Sequence, residues 1–531
     1  MSSYKNLKIL LTDDLHFHKR NFKSLFTFFE KYNPTVINAR APKDWIALYG
    51  DYSSKLANLD PIVERLRLLD KDDLYSFSYK GMHVFEICKL EFLSSVIAKK
   101  EWRNQDVSNS TDQVFELAYS LDKENLLLNM AAVVFWVDWW SCKLYDIPSQ
   151  DYCCIFSGSL IYSKVLIELL KKHTTEPVLL ESFFTGSEYY FEKKYEHLPN
   201  NSDLAYSTYY KSIKIENDLN EYDLDRIKAA NKILLSNNKN VQQPVESPEF
   251  GFSNENPVVL IIGQVVNDFS VLGTAGPLST ISQYKKIING VLECSNYNVV
   301  FKAHPWESSK IGVEAPITKE ELRSCLRDNY KDRVIIVEDY NLELALGQSD
   351  LVITLCSQAA IEAAFNGFKP VQLGNAFYGR KGFTHDYSSV ECFIKDFKKG
   401  LVRGELTLSE FDLFEEFCVK SFLGHLVSVH PSGHIILRER LRKHKSVNLV
   451  TKKTGLSQNI EVDKDVIARN GEAERESDTI STKLDLTIVE KSYPEDRGKK
   501  LIKKLRNKPY AYFRDSKIAV IRPLRFFFKR R

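Results

Sequence analysis

Short apolar runs alternate with helix-like segments in two separate series along the chain, and this alternation limits the fold more than any other feature. The first series contains strand-like runs at 7–11, 153–156 and 177–180, helical periodicity at 20–32 and 161–170, and an apolar run at 126–140 that suits either element. The second contains strand-like runs at 258–262, 298–302, 334–337, 351–354 and 370–373, with helical segments at 282–292, 342–346 and 357–366. Strands that alternate with helices predict parallel sheets covered by helices on both faces.

The chain of 531 residues is too long for a single hydrophobic core, so two domains are expected. Residues 241–256 are polar and contain prolines, which predicts a linker between the two series. We therefore predict an N-terminal Rossmann-like domain at 1–240 and a C-terminal one at 257–440, facing each other across a cleft. Helices within 405–440 are expected to close the second domain and can cross back to the first.

The end of the chain differs in composition from the rest. Residues 441–488 are polar with almost no aromatic residues, which predicts a disordered tether. Residues 491–531 hold 15 Lys and Arg against 3 Asp and Glu, a net charge of +12, so residues 1–490 carry −9 of the overall +3. Aromatic residues interleave with these basic residues, and no nucleic-acid-binding module is present. We therefore predict that residues 489–531 associate with an anionic membrane surface and not with nucleic acid, a solvated tail being the alternative.

The remaining composition is typical of a cytoplasmic protein. The nine cysteines lack the spacing of a disulfide framework or a metal site, and the N-terminus lacks the pattern of a signal peptide. No apolar run reaches about 18 residues, so no segment is expected to span a membrane. We expect a cytoplasmic location on the inner face of the plasma membrane. No metal is expected, although Asp13 and Asp14 after the first strand could bind one, a turn being the alternative.

Polar residues follow the strands of the second series, where open α/β sheets bind their ligands. Asp268 comes after the strand at 258–262, and its carboxylate can act as a base toward a hydroxyl or as a nucleophile at an anomeric carbon. A turn in which Asp268 caps a helix is the alternative. Lys302 and His304 follow the next strand, where a cation and a ring N–H can bind a phosphate, or can simply form a turn.

A helix start is expected after the strand at 351–354. Ser357 and Gln358 are predicted to open the helix 357–366, whose unpaired N–H groups would form a phosphate site. Glu362 lies four residues beyond Gln358 on the same helix face and can reach a ribose diol. The alternative is an ordinary N-cap at Ser357 with a solvated Glu362.

Taken in order, these residues resemble the motifs of the bacterial capsule polysaccharide synthesis family. Its characterised members are retaining β-Kdo transferases that use CMP-Kdo, the activated form of a keto-deoxy sugar acid. The matches cover about residues 255–390 and are Gln264, Asp268 and Ser270; Lys302, His304 and Pro305; Ser357, Gln358, Glu362 and Ala363; Gly367, Lys369, Pro370 and Val371; and Gly374, Phe377, Tyr378, Gly382 and Thr384. The N-terminal half matches only loosely, around residues 181–186.

The resemblance implies a GT-B-like α/β fold and a glycosyltransferase of capsule or lipopolysaccharide synthesis, in which the domain at 257–440 binds the nucleotide sugar and the domain at 1–240 binds the acceptor. Such an enzyme transfers Kdo from CMP-Kdo to a glycan or glycolipid acceptor, without a further cofactor. Asp268 would be the catalytic carboxylate, as base or as nucleophile. The nucleotide and its phosphate would contact Gln264, Lys302, His304, Ser357, Gln358 and Glu362; a donor-site loop would contain Gly374, Phe377, Tyr378 and Thr384; and the acceptor would contact Glu181 and Thr185.

Two other hypotheses remain open from the sequence. A phosphotransferase or polymerase that uses a CDP-alditol would also need His-Pro and Ser-helix elements around a cytidine nucleotide. A non-catalytic partner in capsule assembly or export would keep the fold without the chemistry. Asp268, within a full set of phosphate-binding residues, favours an enzyme over such a partner.

Overall fold

The computed structural model describes residue 4 and the ranges 6–215, 218–236, 243–274 and 276–441. Met1–Glu439 form one compact unit, which contains two six-stranded sheets and a short hairpin. The predicted tether at 441–488 and the predicted basic tail at 489–531 lie outside the described residues, except for Leu441.

The first half of the chain alternates strands with helices, as the sequence predicts. Its elements are β1 (Lys8–Leu11), α1 (Lys19–Tyr32), β2 (Thr35–Asn38), α2 (Lys43–Ile46), α3 (Leu56–Arg67), α4 (Lys71–Ser76), β3 (Ser78–Tyr79), β4 (Met82–His83), α5 (Val84–Val96), α6 (Lys100–Arg103), α7 (Thr111–Leu121), α8 (Lys123–Asp146), β5 (Tyr152–Phe156), α9 (Ile161–Leu170), β6 (Glu176–Ser182), β7 (Glu188–Glu192), α10 (Ser207–Ser212) and α11 (Leu219–Leu234). The apolar run at 126–140 is helical, within α8. It is apolar on most of its surface because α3, α5 and α9 pack around it.

The second half contains a series of the same kind. Its elements are β8 (Val258–Ile262), α12 (Phe269–Leu272), α13 (Thr280–Cys294), β9 (Asn298–Lys302), α14 (Ile317–Cys325), β10 (Val334–Val337), α15 (Leu342–Gly347), β11 (Leu351–Thr354), α16 (Ala359–Phe365), β12 (Val371–Gln372), β13 (His385–Asp386), α17 (Val390–Lys398), α18 (Leu408–Cys418), a π-helical segment (Val419–His425) and β14 (Val427–Ser428). β8, β9 and β11 are buried along their whole length. This burial explains why their sequences are nearly continuous apolar runs.

The first sheet has the strand order β14-β7-β6-β5-β1-β2. Four of its strands are parallel, whereas β7 and β14 are antiparallel at one edge. The sequence did not predict β7, because the glutamates at both of its ends suggest an exposed segment. Both are buried with a partner: Glu188 accepts a hydrogen bond from Lys232 at 2.6 Å, and Glu192 lies 2.8 Å from Nε2 of His425.

The second sheet, β10-β9-β8-β11-β12-β13, is parallel throughout. After α18 the chain returns to the first sheet, where Val427 of β14 lies opposite Tyr189 of β7. Two mainly parallel sheets in one chain confirm the predicted GT-B-like α/β architecture. The described part of the linker lies against the second half, since Phe250 donates its backbone N–H to Gln348 Oε1 at 2.7 Å. The domain limits at 1–240 and 257–440 stay a prediction.

Candidate functional site

The candidate site lies where the strand order of the second sheet changes direction. The chain runs from β8 to β9 and β10 on one side, and then crosses to β11 on the other side of β8. The crevice between the carboxyl ends of β8 and β11 is the position at which open α/β sheets bind ligands. Gln264 connects the two strand ends there, because its Oε1 accepts the backbone N–H of Cys356 at 2.8 Å.

Asp268 has both a structural contact and a free oxygen. It is the N-cap of α12, and its Oδ1 accepts the backbone N–H and the hydroxyl of Ser270, each at 2.8 Å. The Ser270 hydroxyl in turn accepts a hydrogen bond from Nε2 of Gln264 at 3.2 Å. Among the described residues, none donates a hydrogen bond to Oδ2. The capping interpretation therefore accounts for one oxygen of Asp268 and leaves the other available for chemistry.

His304 is held as a neutral imidazole at the end of β9. Its Nδ1 accepts the backbone N–H of Trp306 at 3.2 Å, so the ring proton of the neutral form lies on Nε2. Burial lowers the pKa of His304 to about 4, although the charge of Asp268 opposes this shift. At neutral pH the side chain can therefore donate one hydrogen bond from Nε2 without carrying a positive charge.

Lys302 and Glu362 share one environment beside His304. Lys302 is buried at the end of β9, and this burial lowers its pKa to about 8, although Asp339 and Glu362 oppose the shift. Burial also raises the pKa of Glu362 to about 7, against the effect of Lys302. Glu362 is half-buried rather than solvated. Lys302 is thus still mostly cationic at neutral pH, while Glu362 is close to its midpoint.

Ser357 and Gln358 lie before the helix that they were expected to open. The first helical residue is Ala359, and α16 extends only to Phe365. The prediction of a helix from 357 is wrong by two residues, because the Thr354 hydroxyl accepts the Ser357 N–H at 3.1 Å and holds a turn there. The Gln358 side chain reaches the first half of the chain, where its Oε1 accepts the N–H of Phe184 at 3.4 Å.

The predicted donor-site loop is held mainly by the burial and the hydrogen bonds of its own side chains. Phe377 and Tyr378 are fully buried, and the Tyr378 hydroxyl donates to the carbonyl of Ser357 at 2.8 Å. Thr384 donates to the carboxylate of Asp386 at 3.0 Å. Gly374 has no room for a side chain, because a Cβ there would lie 2.9 Å from the carbonyl of Leu355. A donor contact by the two rings stays a prediction, and their burial favours a supporting role behind the loop surface.

Glu181 reaches the same site from the first sheet. It is the penultimate residue of β6, near the carboxyl end of that strand, and burial raises its pKa to about 7. The nearby hydroxyl of Ser157, which lies 2.9 Å from that of Ser159, opposes this rise in pKa, and the charge of Asp268 adds to it. Oε2 of Glu181 is buried and has no partner among the described residues. The charge of Asp268 thus acts on Glu181, so these two carboxylates from different sheets lie within electrostatic range of each other.

Thr185, the other predicted acceptor residue, has a different position. It is buried, and its hydroxyl donates to Oε2 of Glu188 at 2.5 Å. This contact holds the turn between β6 and β7. Any acceptor contact by Thr185 stays a prediction.

Several hydrogen bonds join the two halves around the loop after β8. Asn267 donates to the carbonyl of Ser94 at 3.0 Å, and Asn109 donates to the carbonyl of Leu272 at 2.6 Å. Asn200 donates to the carbonyl of Ser270 at 2.9 Å. The loop that carries Asp268 is thus fixed from both sides.

Sequence reasoning missed two residues near the paired carboxylates. Ser157 follows β5 in the left-handed region (φ 55°), and the run Ser157-Gly158-Ser159 directly after a strand was the available signal. Lys310 places its Nζ 5.1 Å from the ring centre of Trp306, and its charge opposes the raised pKa of Glu181. Nothing in the local sequence pattern identifies Lys310, because it reaches the site only through the folded loop after β9.

The aspartate pair after β1 does not form a joint site. Asp13 is buried beside His16, whereas Asp14 is exposed and bonded to Asn38. Within the described ranges, no three His, Cys, Asp or Glu side chains are grouped so that they could hold a metal ion. No helix in the described part of the chain is both long and apolar enough to cross a bilayer.

Comparison with known proteins found a family model that matches the central segment of the chain. Residues 172–402 match the family model described as capsule polysaccharide biosynthesis protein, and this segment contains β6, β7 and the whole second sheet. The match confirms the resemblance inferred from residues 255–390. A search of the curated proteins found no match.

Remote likenesses to solved structures were also found. The chain is similar to KpsC, β-Kdo 2,4 transferase, of Thermosulfurimonas dismutans (16% identity, TM-score 0.36, 54% of this chain and 86% of that one). It is also similar to the β-Kdo 2,7 transferase KpsC of the same organism (14% identity, TM-score 0.33, 56% of this chain and 88% of that one). A third likeness is to S. aureus MnaA, solved with UDP (10% identity, TM-score 0.26, 85% of this chain and 98% of that one). These likenesses are too remote to carry a functional conclusion.

Proposed function

We propose that this chain, whose residues 172–402 belong to the capsule polysaccharide biosynthesis family, is a glycosyltransferase. Its reaction is the transfer of Kdo from CMP-Kdo to a glycan or glycolipid acceptor of a bacterial surface polysaccharide. The observation that carries the proposal is the position of Asp268 after β8, with Oδ1 bonded to Ser270, no described donor on Oδ2, and a charge that acts on Glu181 of the other sheet. Paired carboxylates of this kind can share acid–base and nucleophilic roles in glycosyl transfer.

The donor half of the proposed site is a set of phosphate-binding groups without a metal. His304 would donate from Nε2 to a phosphate oxygen, and Lys302 would supply a positive charge. Glu362 beside Lys302 would accept hydrogen bonds from the ribose hydroxyls. Gln264 would act by holding the ends of β8 and β11 in position around the nucleotide. Ser357 and Gln358 would border the phosphate.

The proposed reaction has two steps, with a covalent glycosyl–Asp268 intermediate between them. Oδ2 of Asp268 attacks the anomeric carbon of Kdo, the bond from that carbon to the phosphate breaks, and CMP leaves with the bonding electrons. The acceptor hydroxyl then attacks the same carbon, its proton passes to Glu181, and the bond to Asp268 breaks. A pKa of about 7 suits Glu181 to this exchange of a proton at neutral pH. In the alternative role Asp268 itself takes the proton from the acceptor in a single step.

Donor profiling tests the proposed function. The purified protein is incubated with CMP-Kdo, CDP-glycerol, CDP-ribitol and UDP-GlcNAc, and released nucleotides are measured by mass spectrometry. Release of CMP from CMP-Kdo, absent in Asp268→Ala, is expected. A mass increase of one Kdo residue on the Asp268 peptide of Glu181→Gln would identify the nucleophile, and its absence would favour the single-step route.

The two rival functions give different results in the same experiments. Turnover of CDP-glycerol or CDP-ribitol alone would replace the glycosyltransferase with an alditol-phosphate transferase. Full restoration of capsule in a null strain by Asp268→Ala would instead favour a non-catalytic assembly or export partner.

We also propose that the basic segment at 489–531 holds the enzyme on an anionic membrane surface. Each basic residue close to such a surface contributes about 1 kcal/mol, so the net charge of this segment is ample for reversible binding. Flotation with phosphatidylglycerol-containing vesicles should recover the full chain but not a chain ending at residue 488. Equal recovery with vesicles of phosphatidylcholine alone would contradict an electrostatic attachment.

A further inference from the structure

The first sheet has a crevice of its own at the carboxyl ends of its strands. β1 has β2 on one side and β5 on the other, so the order of the strands changes direction at β1. By the rule that applies to the second sheet, the space beyond the ends of β1 and β5 is a ligand-binding position. Asp13 and His16 follow β1 in this place, and the reaction proposed above gives them no role.

Asp13 is a fully buried carboxylate that accepts three hydrogen bonds from described residues. Oδ1 accepts the backbone N–H of His16 at 2.7 Å, while Oδ2 accepts the hydroxyls of Tyr162 at 2.9 Å and Thr12 at 3.0 Å. Burial alone would raise the pKa of Asp13, but the contacts with His16 outweigh it and the pKa lies below its ordinary value. Asp13 is therefore a fixed anion within the sheet edge.

The anion fixes the orientation and the tautomer of His16. Nδ1 lies 3.2 Å from Oδ1 of Asp13 and 3.3 Å from the hydroxyl of Tyr162, and the ring stacks on Phe156 at 4.1 Å with an angle of 2°. Because a carboxylate can only accept, the neutral ring keeps its proton on Nδ1 and has its lone pair on Nε2. No described residue hydrogen-bonds to Nε2, and the side chain is 10% exposed.

A continuous row of side chains connects His16 with the proposed reaction site. Phe156 stacks on the His16 ring and ends β5. The hydroxyl of Ser157, the next residue, lies 2.9 Å from that of Ser159 and lowers the pKa of Glu181 near the end of β6, on which the charge of Asp268 also acts. The edge of the first sheet thus presents an unused hydrogen-bond acceptor, an aromatic ring and a carboxylate in the order of its strands.

We propose that the crevice between the ends of β1 and β5 binds the acceptor glycan, with Nε2 of His16 accepting a hydrogen bond from an acceptor hydroxyl. Asp13 is a positioning residue, which acts through the His16 ring. The inference rests on the proposed function, because it assumes that Glu181 takes a proton from the same acceptor. A sugar suits this place, since its hydroxyls can donate to a neutral imidazole and its C–H face can lie against an aromatic ring.

The test separates acceptor binding from donor chemistry. Hydrolysis of CMP-Kdo is measured without acceptor, as CMP released. Transfer is measured as labelled Kdo incorporated into membranes of a strain from which the gene has been deleted. His16→Ala should raise the apparent KM for these membranes about tenfold, with hydrolysis within about twofold of the wild type. His16→Gln should restore part of the affinity, because an amide oxygen can also accept a hydrogen bond.

Asp13→Asn tests the tautomer without removing the ring. The Asn oxygen can keep the bond from the backbone N–H of His16, but the charge that favours a proton on Nδ1 is lost, so the tautomer with its proton on Nε2 becomes more populated. A rise in KM smaller than that of His16→Ala is expected, and a nitrogen NMR spectrum of His16 should report the larger share of the second tautomer. Asp14→Asn is the matched control, because Asp14 is the exposed neighbour and should change neither assay.

Two results would overturn the inference. Unchanged transfer by His16→Ala would show that the crevice does not bind the acceptor. A parallel fall of hydrolysis and transfer, at an unchanged thermal midpoint, would assign the pair to the donor site. If the proposed function itself is wrong, the wild type will release no CMP from CMP-Kdo. Hydrolysis and transfer by the wild type and the His16 variants would then be compared with the nucleotide sugar that the wild type does hydrolyse.

Discussion

Replacing Glu181 by Gln should stabilise the protein above pH 7 and have little effect near pH 4. Burial and then the neighbouring charge of Asp268 raise the pKa of Glu181 to about 7, from an ordinary value of 4.5. The folded state therefore favours the protonated carboxyl, whose contribution is complete below pH 4.5 and is lost as the pH rises to about 7. A shift of this size corresponds to about 3 kcal/mol. Gln carries no charge at any pH and has nearly the same size and shape as Glu.

Urea unfolding followed by tryptophan fluorescence at about pH 4.5 and about pH 8.5 measures this effect. The free energy of unfolding of Glu181→Gln should exceed that of the wild type by up to about 3 kcal/mol at the higher pH, and by less than about 0.5 kcal/mol at the lower one. Glu101→Gln removes the same charge from an exposed position on α6 and should shift neither value. Equal stabilities of Glu181→Gln and the wild type at about pH 8.5 would refute the burial of Glu181 against Asp268.

Three further substitutions test the candidate site. Asp268→Asn should lower nucleotide release by about a thousandfold. The thermal midpoint should not change, because the Asn oxygen can keep both bonds to Ser270. A large fall in the thermal midpoint would instead show that capping α12 is the main role of Asp268. Lys302→Met should weaken CMP binding about tenfold at about pH 6 and much less at about pH 9.5. The reason is that burial lowers the Lys302 pKa to about 8, so the wild-type cation is lost above that pH. Equal losses of CMP affinity at the two pH values, measured by calorimetry, would contradict this. Gln264→Ala should lower the free energy of unfolding by about 1–3 kcal/mol, because the buried N–H of Cys356 loses its acceptor; an unchanged urea midpoint would argue against that bond.

The sequence predicts the second sheet well because its strands are buried on both faces. The bounds expected for β8, β9, β10 and β11 agree with the structure, since uninterrupted apolar runs of this length fit little else. The first sheet is harder to predict at its edge. β7 carries glutamates that are neutralised only by distant partners such as Lys232 and His425, and β14 is two residues long.

The sequence predicts which polar residues follow which strands, but it does not predict the contacts that these residues make in the folded site. Polar residues that follow parallel strands must lie at one edge of the sheet, so Asp268 and His304 could be grouped from the sequence alone. The position of Glu181 opposite Asp268 depends on how two sheets pack, which no local pattern encodes. The rings of Phe377 and Tyr378 suggested contact with the donor, yet they are buried, because aromatic side chains fill cores as readily as they line sites.

The return of the chain through β14 restricts how the two sheets could ever move apart. Two bodies joined by a single strand of polypeptide can swivel in any direction, whereas two joined at separate points can only bend about the line through both. The linker before β8 and the segment before β14 are those two points. Any separation of Asp268 from Glu181 would therefore have to bend both connections and break the hydrogen bonds from Asn267, Asn109 and Asn200. Cutting the chain before β14 would leave one covalent connection between the sheets, with those hydrogen bonds as the remaining restraint.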